Sequence, residues 1–298
     1  MNVAVIIISY NFERWMDKCL GSLRKSSIPL EIIVVDNLSR DNTTTLIEKN
    51  YPEVHLLKNQ TNAGFGKANN QAMAYAIQHG CDYFFLLNQD AWVDSNTIEK
   101  LLDLSLKNPQ YGVISPVHLN GKGDALDRGF ADYSNLKSKE DLNDIKCKND
   151  QIIPIHRVNA AFWMLSRETL KHMGGFSPVF HHYGEDMDYI NRLHYHDCKI
   201  GYCPFVYGYH DRENRKPGKE TLIFQLIEYA NINRSFFKAF GYGVLAAFKK
   251  TFIALPKEGF NEFCRLFSIS FNLLLKTFTI INARKMTKKS PEYLFIKP

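Results

Sequence analysis

The first half of the chain alternates between short strand-like runs and segments whose apolar residues recur at helical spacing. The strand-like runs extend from Val3 to Ser9, from Glu31 to Asp36 and from Tyr83 to Asn88. Helix-like patterns cover Trp15 to Lys25, Asn42 to Asn50, Lys67 to His79 and Ser95 to Lys107. Strands and helices that alternate at this spacing are joined by crossover connections and form a mostly parallel sheet. We therefore expect an α/β fold whose first half is a nucleotide-binding sheet.

The second half has a less regular pattern. Residues 120 to 150 are polar and rich in Gly, Asp, Lys and Asn, which predicts an irregular excursion. An apolar pattern resumes from Arg157 to Arg167, Glu168 to Met173 has helical character, and the pair Gly174-Gly175 ends that helix. The segment from Asp186 to His196 has the spacing of a helix with acidic residues in its first turn, where the helix dipole favours them.

From about Leu222 the chain is helical in character and basic. Residues 212 to 298 hold 16 Lys or Arg against 6 Asp or Glu, a net charge of +10, so the preceding residues carry −4 of the total of +6. Two apolar patches, Ala239 to Phe248 and Leu266 to Leu275, are each shorter than the roughly 20 residues that cross a bilayer. Apolar residues mixed with Lys and Arg suit a helix on an anionic membrane surface. Packing on the rest of the chain or in a dimer fits the pattern equally well.

The N-terminus and the cysteines favour a cytoplasmic location. The run from Met1 to Ser9 lacks a basic leader and is too short for a signal peptide, so we interpret it as the first strand. The 6 cysteines show no CxxC spacing, which predicts neither a zinc site nor a disulfide framework. Reduced thiols are the expected state. At 298 residues the chain can form one large domain or a domain with an appendage.

Polar residues cluster where the predicted strands end. Ser9-Tyr10-Asn11 follows the first strand, Asp36-Asn37 ends the second, and Asn88-Gln89-Asp90 ends the third. The segment from Asn62 to Asn70 precedes a helix and contains two glycines that permit unusual backbone angles. Ligands of open α/β sheets bind beyond the carboxyl ends of the strands, so we expect these loops to converge. Each segment alone is also compatible with an ordinary turn.

The chemistry of these residues fits a nucleotide diphosphate. Asp36 can accept the N3–H of a uracil or thymine ring, Tyr10 can cover the base, and Asp90 can hold a divalent cation that bridges two phosphates. A second acidic cluster, from Gly184 to Asp188, follows an aromatic and histidine-rich loop at Phe180 to Tyr183. Two separated acidic clusters predict metal-assisted chemistry on a phosphorylated substrate.

Seven short motifs follow one another from Val3 to about His210. They read VIIISYN, IIVVDN, NAGFGKANN, FFLLNQD, GGFSPVF, GEDMDYINR and GYCPFVYGYH. In this order they resemble glycosyltransferase family 2, the inverting enzymes of the A-type glycosyltransferase fold, and more narrowly its rhamnosyltransferase-like bacterial members. The resemblance implies a mostly parallel, Rossmann-like central sheet flanked by helices. It also implies a catalytic domain at 1–215, with a nucleotide-binding half at 1–118 and an acceptor half at 151–211, and a helical extension at 216–298.

The resemblance implies that the strand-end motifs bind the sugar donor. Asp36 corresponds to the residue that reads the base, with Ser9 and Tyr10 beside it. The complete donor-binding set predicted in this way is Ser9, Tyr10, Asn11, Asp36, Asn62, Gly64, Asn69, Asn88, Gln89 and Asp90.

The resemblance also implies a metal site and a general base. Asp90 corresponds to the last acid of the DxD metal motif, whose first acid is replaced by Asn88, and one carboxylate fewer should weaken metal binding. His210 corresponds to the histidine that joins the metal and the diphosphate, and Mg²⁺ or Mn²⁺ is the expected cofactor. Asp186 corresponds to the general base, with Glu185 and Asp188 as its acidic neighbours, and the predicted catalytic set is Asp186 and Glu185. A helix N-cap is the alternative role for Asp186, and an ordinary loop histidine is the alternative for His210.

The implied activity is an inverting transfer, in a single displacement, of rhamnose or a similar sugar from a UDP- or dTDP-linked donor. The acceptor would be a saccharide or a lipid-linked acceptor of surface polysaccharide biosynthesis, met in the cytoplasm or at the inner face of the cytoplasmic membrane. No nucleic-acid partner is expected, and a homo-oligomer stays open. Two alternatives remain: a nucleotidyltransferase that makes sugar nucleotides, although the loop after strand one lacks glycine, and a non-catalytic nucleotide-sugar binding protein.

Overall fold

One mixed sheet lies at the centre of the molecule in this computed structural model, which describes residues 1–145, 151–212 and 222–296. Within these ranges the sheet has nine strands in the order β3-β2-β1-β4-β8-β6-β9-β5, and β7 pairs with β9. The strands are β1 (Val3–Ser9), β2 (Glu31–Asp36), β3 (His55–Lys58), β4 (Tyr83–Asn88), β5 (Ala91–Val93), β6 (Tyr111–Asn120), β7 (Ile153–Pro154), β8 (Phe162–Ser166) and β9 (Lys199–His210).

Helices cover the sheet and continue beyond it. They are α1 (Met16–Leu23), α2 (Thr43–Asn50), α3 (Phe65–Gln78), α4 (Thr97–Lys107), α5 (Arg128–Ser134), α6 (Arg167–Met173), α7 (Glu185–Tyr195), α8 (Ile223–Ala230), α9 (Phe236–Phe240), α10 (Ala246–Glu258), α11 (Phe260–Leu275) and α12 (Thr277–Lys289). A 3₁₀ turn covers Glu140–Asp144, and a π-helical turn, Gly241–Leu245, joins α9 to α10. The helices predicted in the first half are present, with ends that differ by no more than two residues.

The first four strands of the sheet are parallel, as the sequence pattern predicts. β1 lies between β2 and β4, and its apolar residues are buried alternately in two core clusters, one on each face of the sheet. Residues buried on both faces explain why these strands read as continuous apolar runs. Ser9 pairs with Asp36, and Ile8 pairs with Asn88. This register brings the polar ends of β1, β2 and β4 to one edge of the sheet.

The other half of the sheet is mixed. β8 runs antiparallel to β4 and to β6, β9 runs parallel to β6, and both β5 and β7 run antiparallel to β9. The mostly parallel arrangement therefore holds for β3, β2, β1 and β4 and not for the later strands. Because β5 pairs with β9, Ala91 lies opposite His210. That pairing brings the end of the long last strand beside Asp90, the residue that precedes β5.

The segment from 120 to 150 is more ordered than its composition predicts. Helix α5 lies within it, and the Asp127 side chain caps this helix by accepting a hydrogen bond from the Phe130 N–H at 3.1 Å. Phe130 is fully buried in the core. The expectation of an irregular excursion was wrong for this helix, because one buried aromatic residue and one cap are enough to anchor a short turn. Residues 146–150 lie outside the described residues.

The C-terminal helices pack on the rest of the chain through a third hydrophobic cluster. This cluster joins Val179 and Phe180 to residues of α8, α10, α11 and α12. The residues after α12 return to the segment that follows α6, where Leu294 O accepts a hydrogen bond from Gly175 N at 2.7 Å. In the described part of the chain no single helix is long and apolar enough to cross a membrane, whereas α11 and α12, bent by 51°, pass that test as a pair.

Candidate active site

A cleft of about 370 Å³ opens at the edge where β1 and β4 end. It is lined by residues from the two halves of the chain. They are Ile8, Ser9, Tyr10, Phe65, Asn88, Gln89, Asp90, Tyr133, Asn159, Ala160, Ala161, His182, Tyr183, Glu185, Asp186 and Arg212. The cleft therefore brings together seven of the predicted site residues, and Asp90 and Asp186 face the same space.

Asp36 lies beside the cleft and is held in a small hydrogen-bonded group. Its Oδ1 accepts a hydrogen bond from Ser9 Oγ at 3.0 Å, and its Oδ2 accepts one from Ser39 N at 3.0 Å. The Ser39 hydroxyl also donates to Asp36 and accepts from Asn11 N at 2.9 Å. Asn11 has a positive φ of 55°, which turns the chain away from β1. These contacts fix the loop after β1 against the end of β2.

Tyr10 and Gln89 tie the ends of β1 and β4 together. Tyr10 N donates to Gln89 Oε1 at 2.8 Å, and Gln89 Nε2 donates to Tyr10 O at 3.1 Å. The Tyr10 ring stays 40% exposed. The backbone of Tyr10 is therefore held while its ring is available to cover a flat ligand.

Five predicted donor-binding residues lie outside the cleft lining: Asn11 and Asp36, described above, and Asn62, Gly64 and Asn69. Asn62 Oδ1 accepts a hydrogen bond from Gly64 N at 3.0 Å, and Asn69 is buried with its Nδ2 donating to Phe65 O at 3.0 Å. Gly64 has a φ of 79°, and a Cβ there would lie 2.2 Å from His181 O. Glycine is needed at this position for the close approach to the loop of the second acidic cluster.

Asp90, which lines the cleft, forms a buried pair with His210, which lies outside the lining. His210 Nε2 lies 3.1 Å from Asp90 Oδ1, and Asn88 Nδ2 lies 3.3 Å from the same nitrogen. On the other side of the ring, His210 Nδ1 lies 3.8 Å from Asp127 Oδ2, and Arg212 Nε lies 3.1 Å from Nδ1. His210 is the last residue of β9 and is buried, so it is not an ordinary loop histidine.

The pair fits a divalent cation that is shared with a substrate. In residues 1–145, 151–212 and 222–296, no group of three or more His, Cys, Asp or Glu side chains is arranged to hold a metal ion by itself. A carboxylate and an imidazole 3.1 Å apart can nevertheless occupy neighbouring positions around one ion. Mg²⁺ is usually held by one or two carboxylates together with substrate phosphates. The remaining ligands would therefore come from a diphosphate.

The second acidic cluster opens helix α7, and two of its carboxyl groups face the cleft. Gly184 is the N-cap residue, so Asp186 lies in the first turn and does not cap the helix. Burial raises the pKa of Asp186 above its usual value. The hydrogen bond from the Met187 N–H and the charge of Arg212 lower this pKa, but the effect of burial is larger. Burial, together with the charge of Asp186, raises the pKa of Glu185 to about 7. A carboxylate with a raised pKa is a stronger base, which suits proton abstraction.

The third acid of the cluster has a structural role. Asp188 is buried and accepts a hydrogen bond from Arg192 Nε at 3.0 Å. Arg192 also donates to Met173 O and to Gly175 O, each at 2.7 Å. The arginine thus joins α7 to the end of α6, and its five N–H donors are well suited to such a junction.

Two polar side chains in the cleft wall have buried atoms without partners among the described residues. These atoms are Nδ2 and Oδ1 of Asn159 and Oε2 of Glu185. Asn159 is 9% exposed and Glu185 is 7% exposed. Buried polar atoms are nearly always hydrogen-bonded to protein, water or a ligand, so these atoms can hydrogen-bond a polar group in the cleft.

Several lining residues could not be found from the sequence. Asn159, Tyr133 and Arg212 belong to none of the quoted motifs, although Arg212 follows the last motif by two residues. The only signal available for Asp127 was a helix-cap residue in a segment that looked irregular. Their positions depend on contacts between segments that lie far apart in the chain, which the sequence pattern does not show.

The fold and the cleft are those of a sugar-transferring enzyme of the A-type glycosyltransferase fold. Residues 4–174 match the family described as glycosyl transferase family 2, and the chain belongs to this family. The enzyme class is therefore glycosyltransferase, and the two alternative classes considered from the sequence find no support in this match.

Curated relatives match part of the chain. N-acetylglucosaminyl-diphospho-decaprenol L-rhamnosyltransferase of Mycobacterium tuberculosis is 22% identical over 212 residues, which cover 63% of this chain and 69% of the relative. Poly(ribitol-phosphate) beta-N-acetylglucosaminyltransferase TarS of Staphylococcus aureus is 31% identical over 105 residues, which cover 33% of this chain and 18% of the relative.

Solved structures support the fold. The crystal structure of S. aureus TarS 1–349 in complex with UDP-GlcNAc has a TM-score of 0.58 at 15% identity, covering 97% of this chain and 91% of that chain. The longer TarS structure is covered over 55% of its length. The structure of GalNAc-T7 with UDP, GalNAc and Mn²⁺ has a TM-score of 0.55 at 14% identity, covering 77% of this chain and 48% of that chain.

Proposed function

We propose that the chain transfers rhamnose or a similar sugar from a UDP- or dTDP-linked donor to a saccharide hydroxyl, with inversion at the anomeric carbon. The observation that carries this proposal is that Asp90 and Asp186, from the two acidic clusters, face one cleft. An inverting displacement needs a proton acceptor and a leaving-group site on opposite sides of one sugar carbon. The similar S. aureus TarS structure binds UDP-GlcNAc, which supports a nucleotide-sugar donor, and the mycobacterial relative is an L-rhamnosyltransferase, which supports rhamnose as the sugar.

The donor would bind with its base beside Asp36 and its diphosphate above Asp90. The hydrogen-bonded group of Ser9 and Asp36 presents a carboxylate that can accept the N3–H of a uracil or thymine ring, and the Tyr10 ring can stack on that base. Asp90 and His210 would hold Mg²⁺ or Mn²⁺ against the diphosphate, and the ion would neutralise negative charge on the leaving group. Arg212, which lines the cleft, adds a fixed positive charge near the same place.

Asp186 would act as the general base. As the acceptor oxygen forms its bond to C1, Asp186 takes the hydroxyl proton, the bond from C1 to the diphosphate oxygen breaks, and the electron pair leaves with the nucleotide diphosphate. The raised pKa of Asp186, caused by burial, favours this transfer. The unpartnered atoms of Asn159 and Glu185 would hydrogen-bond hydroxyl groups of the transferred sugar.

The acceptor would be a saccharide on a lipid carrier of surface polysaccharide biosynthesis, at the inner face of the cytoplasmic membrane. The basic C-terminal helices and the name of the mycobacterial relative, which includes a decaprenol diphosphate, support this assignment. The catalytic domain at 1–215 would then carry out the transfer, and the extension at 216–298 would bring that domain to the lipid-linked acceptor.

The direct test is a panel of nucleotide sugars, each assayed for thermal stabilisation of the full chain and for hydrolysis, with and without Mn²⁺. We expect one uridine or thymidine diphosphate sugar to stabilise the protein in a metal-dependent manner. A panel in which purine and pyrimidine donors stabilise the chain equally would contradict the assignment of Asp36 to the base.

A further inference from the structure

Helix α11 carries an exposed row of large apolar side chains. Phe260 is 69% exposed, Leu275 is 63% exposed, and Phe267 and Phe271 are 40% and 47% exposed. These four residues are separated by seven, four and four positions, spacings that place them on one side of the helix. Soluble proteins rarely expose contiguous apolar patches of this kind unless the patch contacts something. We call these four residues, with Phe252 of α10, the phenylalanine face.

Phe263, which lies between them, joins the rings of the phenylalanine face into a continuous surface. Phe267 stacks on Phe271 with ring centroids 6.4 Å apart and contacts Phe263 at 5.8 Å. Phe263 in turn contacts Phe260 at 6.1 Å and Phe252 at 5.7 Å. The row therefore extends across two helices as a single apolar surface.

The opposite side of α11 is already used for packing within the chain. Leu266, Ser270 and Leu273 are buried in the third hydrophobic cluster or beside it, and the Ser270 hydroxyl lies 2.9 Å from the Thr251 hydroxyl. The fold of the extension thus accounts for one face of α11 and leaves the phenylalanine face toward solvent.

Lysines lie close in sequence to the residues of the phenylalanine face. Lys249, Lys250 and Lys257 belong to α10, and Lys276 follows α11, while α11 itself contains no lysine. Residues 222 to 296 hold 11 Lys or Arg against 4 Asp or Glu, a net charge of +7. A second copy of this chain would bring the same positive charge against it and be repelled. Anionic lipid headgroups are attracted by the lysines, and the acyl boundary accepts the aromatic rings.

We propose that the phenylalanine face docks on an anionic lipid bilayer, with α11 lying along the membrane surface. The aromatic side chains would enter the headgroup region, and the flanking lysines would contact lipid phosphates. This partner deepens the proposed function, because a lipid-linked acceptor is present only at such a surface. The docking itself needs neither donor nor acceptor and is therefore measurable separately.

The docked extension is in direct contact with a loop of the active site. Val179 and Phe180 are buried in the third hydrophobic cluster, while His182 and Tyr183 of the same loop line the cleft. A Cβ at Gly184 would lie 3.0 Å from Ile227 of α8, which shows how closely the extension approaches this loop. Membrane docking through α11 would therefore hold the acceptor side of the cleft close to the bilayer.

The test is flotation of the full-length chain with vesicles of phosphatidylcholine, with or without phosphatidylglycerol, in the absence of sugars. We expect the chain to float with vesicles that contain phosphatidylglycerol and to be released by salt. The triple variant F260S/F271S/L275S should bind these vesicles roughly tenfold or more weakly. Leu106→Ser, which removes a side chain of 40% exposure from α4, is the matched control and should bind as the wild type does.

A second variant protects the test against misfolding of the first. K249Q/K250Q/K257Q/K276Q keeps every apolar contact and should lose the preference for phosphatidylglycerol. Wild-type chain that stays at the bottom of the gradient, or that floats equally well with either vesicle, would overturn the proposal. So would a dimer by light scattering that the triple variant dissociates, because the phenylalanine face would then be an interface between copies. A wild-type chain that floats with these vesicles but binds no nucleotide sugar would instead contradict the proposed function alone.

Discussion

Nε2 of His210 lies 3.1 Å from Oδ1 of Asp90, which joins the last residue of β9 to the residue that precedes β5. The sheet itself sets this distance, because Ala91 pairs with His210 in the antiparallel ladder between β5 and β9. A site built on paired strands is held more rigidly than one built on loops. The two side chains are therefore expected to act together on a diphosphate.

Replacing Asp90 by Ala should abolish metal-dependent binding of the nucleotide. Asp90 supplies the only carboxylate among the two residues proposed to hold the ion, and His210 alone cannot neutralise it. With saturating UDP and Mn²⁺, the wild-type chain should be stabilised by about 2 to 3 kcal/mol, and the variant by none of the metal-dependent part. Thermal shift with and without Mn²⁺ measures this. Asp103→Asn, a charge change on the exposed side of α4, is the control, and an unchanged Mn²⁺ response in Asp90→Ala would remove Asp90 from the metal site.

Replacing Asp186 by Asn should abolish turnover and leave donor binding intact. The amide keeps the shape of the side chain but cannot take a proton from the acceptor, and loss of a general base usually costs about 10² to 10⁴ in rate. The measurement is kcat with the donor found in the panel, together with calorimetric titration of UDP. Asp197→Asn, an exposed carboxylate just beyond α7, is the control. A variant that turns over at the wild-type rate would show that another group is the base.

The sequence predicted those features that depend on local pattern. β1, β2 and β4 have the predicted limits, because strands buried on both faces are continuous apolar runs. Asp90 and Asp186 were singled out because each follows or opens a recognisable element, and the structure brings both to one cleft. The antiparallel insertion of β8, the pairing of β9 with β6 and the contacts of Asp127 and Arg212 with His210 depend on residues far apart in the chain. No spacing or periodicity encodes these contacts.

Replacing Glu185 by Gln should stabilise the folded chain at high pH. The pKa of Glu185 rises from 4.5 to about 7 on folding, chiefly through burial. At a pH below 4.5 the carboxyl is protonated in both states, so it has no effect on stability. As the pH rises toward 7 the unfolded chain ionises first, which favours unfolding, and above 7 the destabilisation is complete. Glutamine does not ionise, so the variant does not lose stability in this way as the pH rises.

Urea unfolding of wild type and Glu185→Gln at pH 5 and pH 8 tests this linkage. The difference in unfolding free energy should favour the variant at pH 8 by up to about 3 kcal/mol and be much smaller at pH 5. Glu168→Gln, at an exposed glutamate of α6, serves as the control for the change in charge. A difference between wild type and Glu185→Gln that is independent of pH would mean that Glu185 titrates normally.

Replacing Arg192 by Met should damage stability rather than chemistry. Arg192 is buried and joins Asp188, Met173 O and Gly175 O, so its loss leaves a carboxylate and two carbonyl groups without their donor. Breaking a buried ion pair from one side usually costs about 3 to 5 kcal/mol. Chemical denaturation measures the loss, and kcat of the fraction that remains folded should stay near that of the wild type. A variant of normal stability with no activity would place Arg192 in the reaction.

Asn159 and Asn69 make a matched pair, because both are buried asparagines with opposite surroundings. Asn159 lines the cleft and its side-chain atoms have no partner among the described residues, whereas Asn69 lies outside the cleft lining and donates to Phe65 O at 3.0 Å. Removing an unsatisfied buried amide is neutral or stabilising, while removing a satisfied one costs about 1 kcal/mol. Replacing each asparagine by leucine should therefore change stability in different directions, and only Asn159→Leu should lower activity.

Asn159→Leu should keep or raise the unfolding free energy and weaken use of the donor, because hydroxyl groups of the sugar lose a hydrogen-bonding partner. A buried hydrogen bond to substrate is worth about 1 to 3 kcal/mol, so kcat/KM should fall by about ten- to a hundredfold. Asn69→Leu should lower the unfolding free energy and leave kcat/KM nearly unchanged. If Asn69 binds the donor, as its motif predicts, the activity of Asn69→Leu falls instead. Measuring both quantities on both variants thus separates a sugar-binding residue from a helix-stabilising one within the same fold.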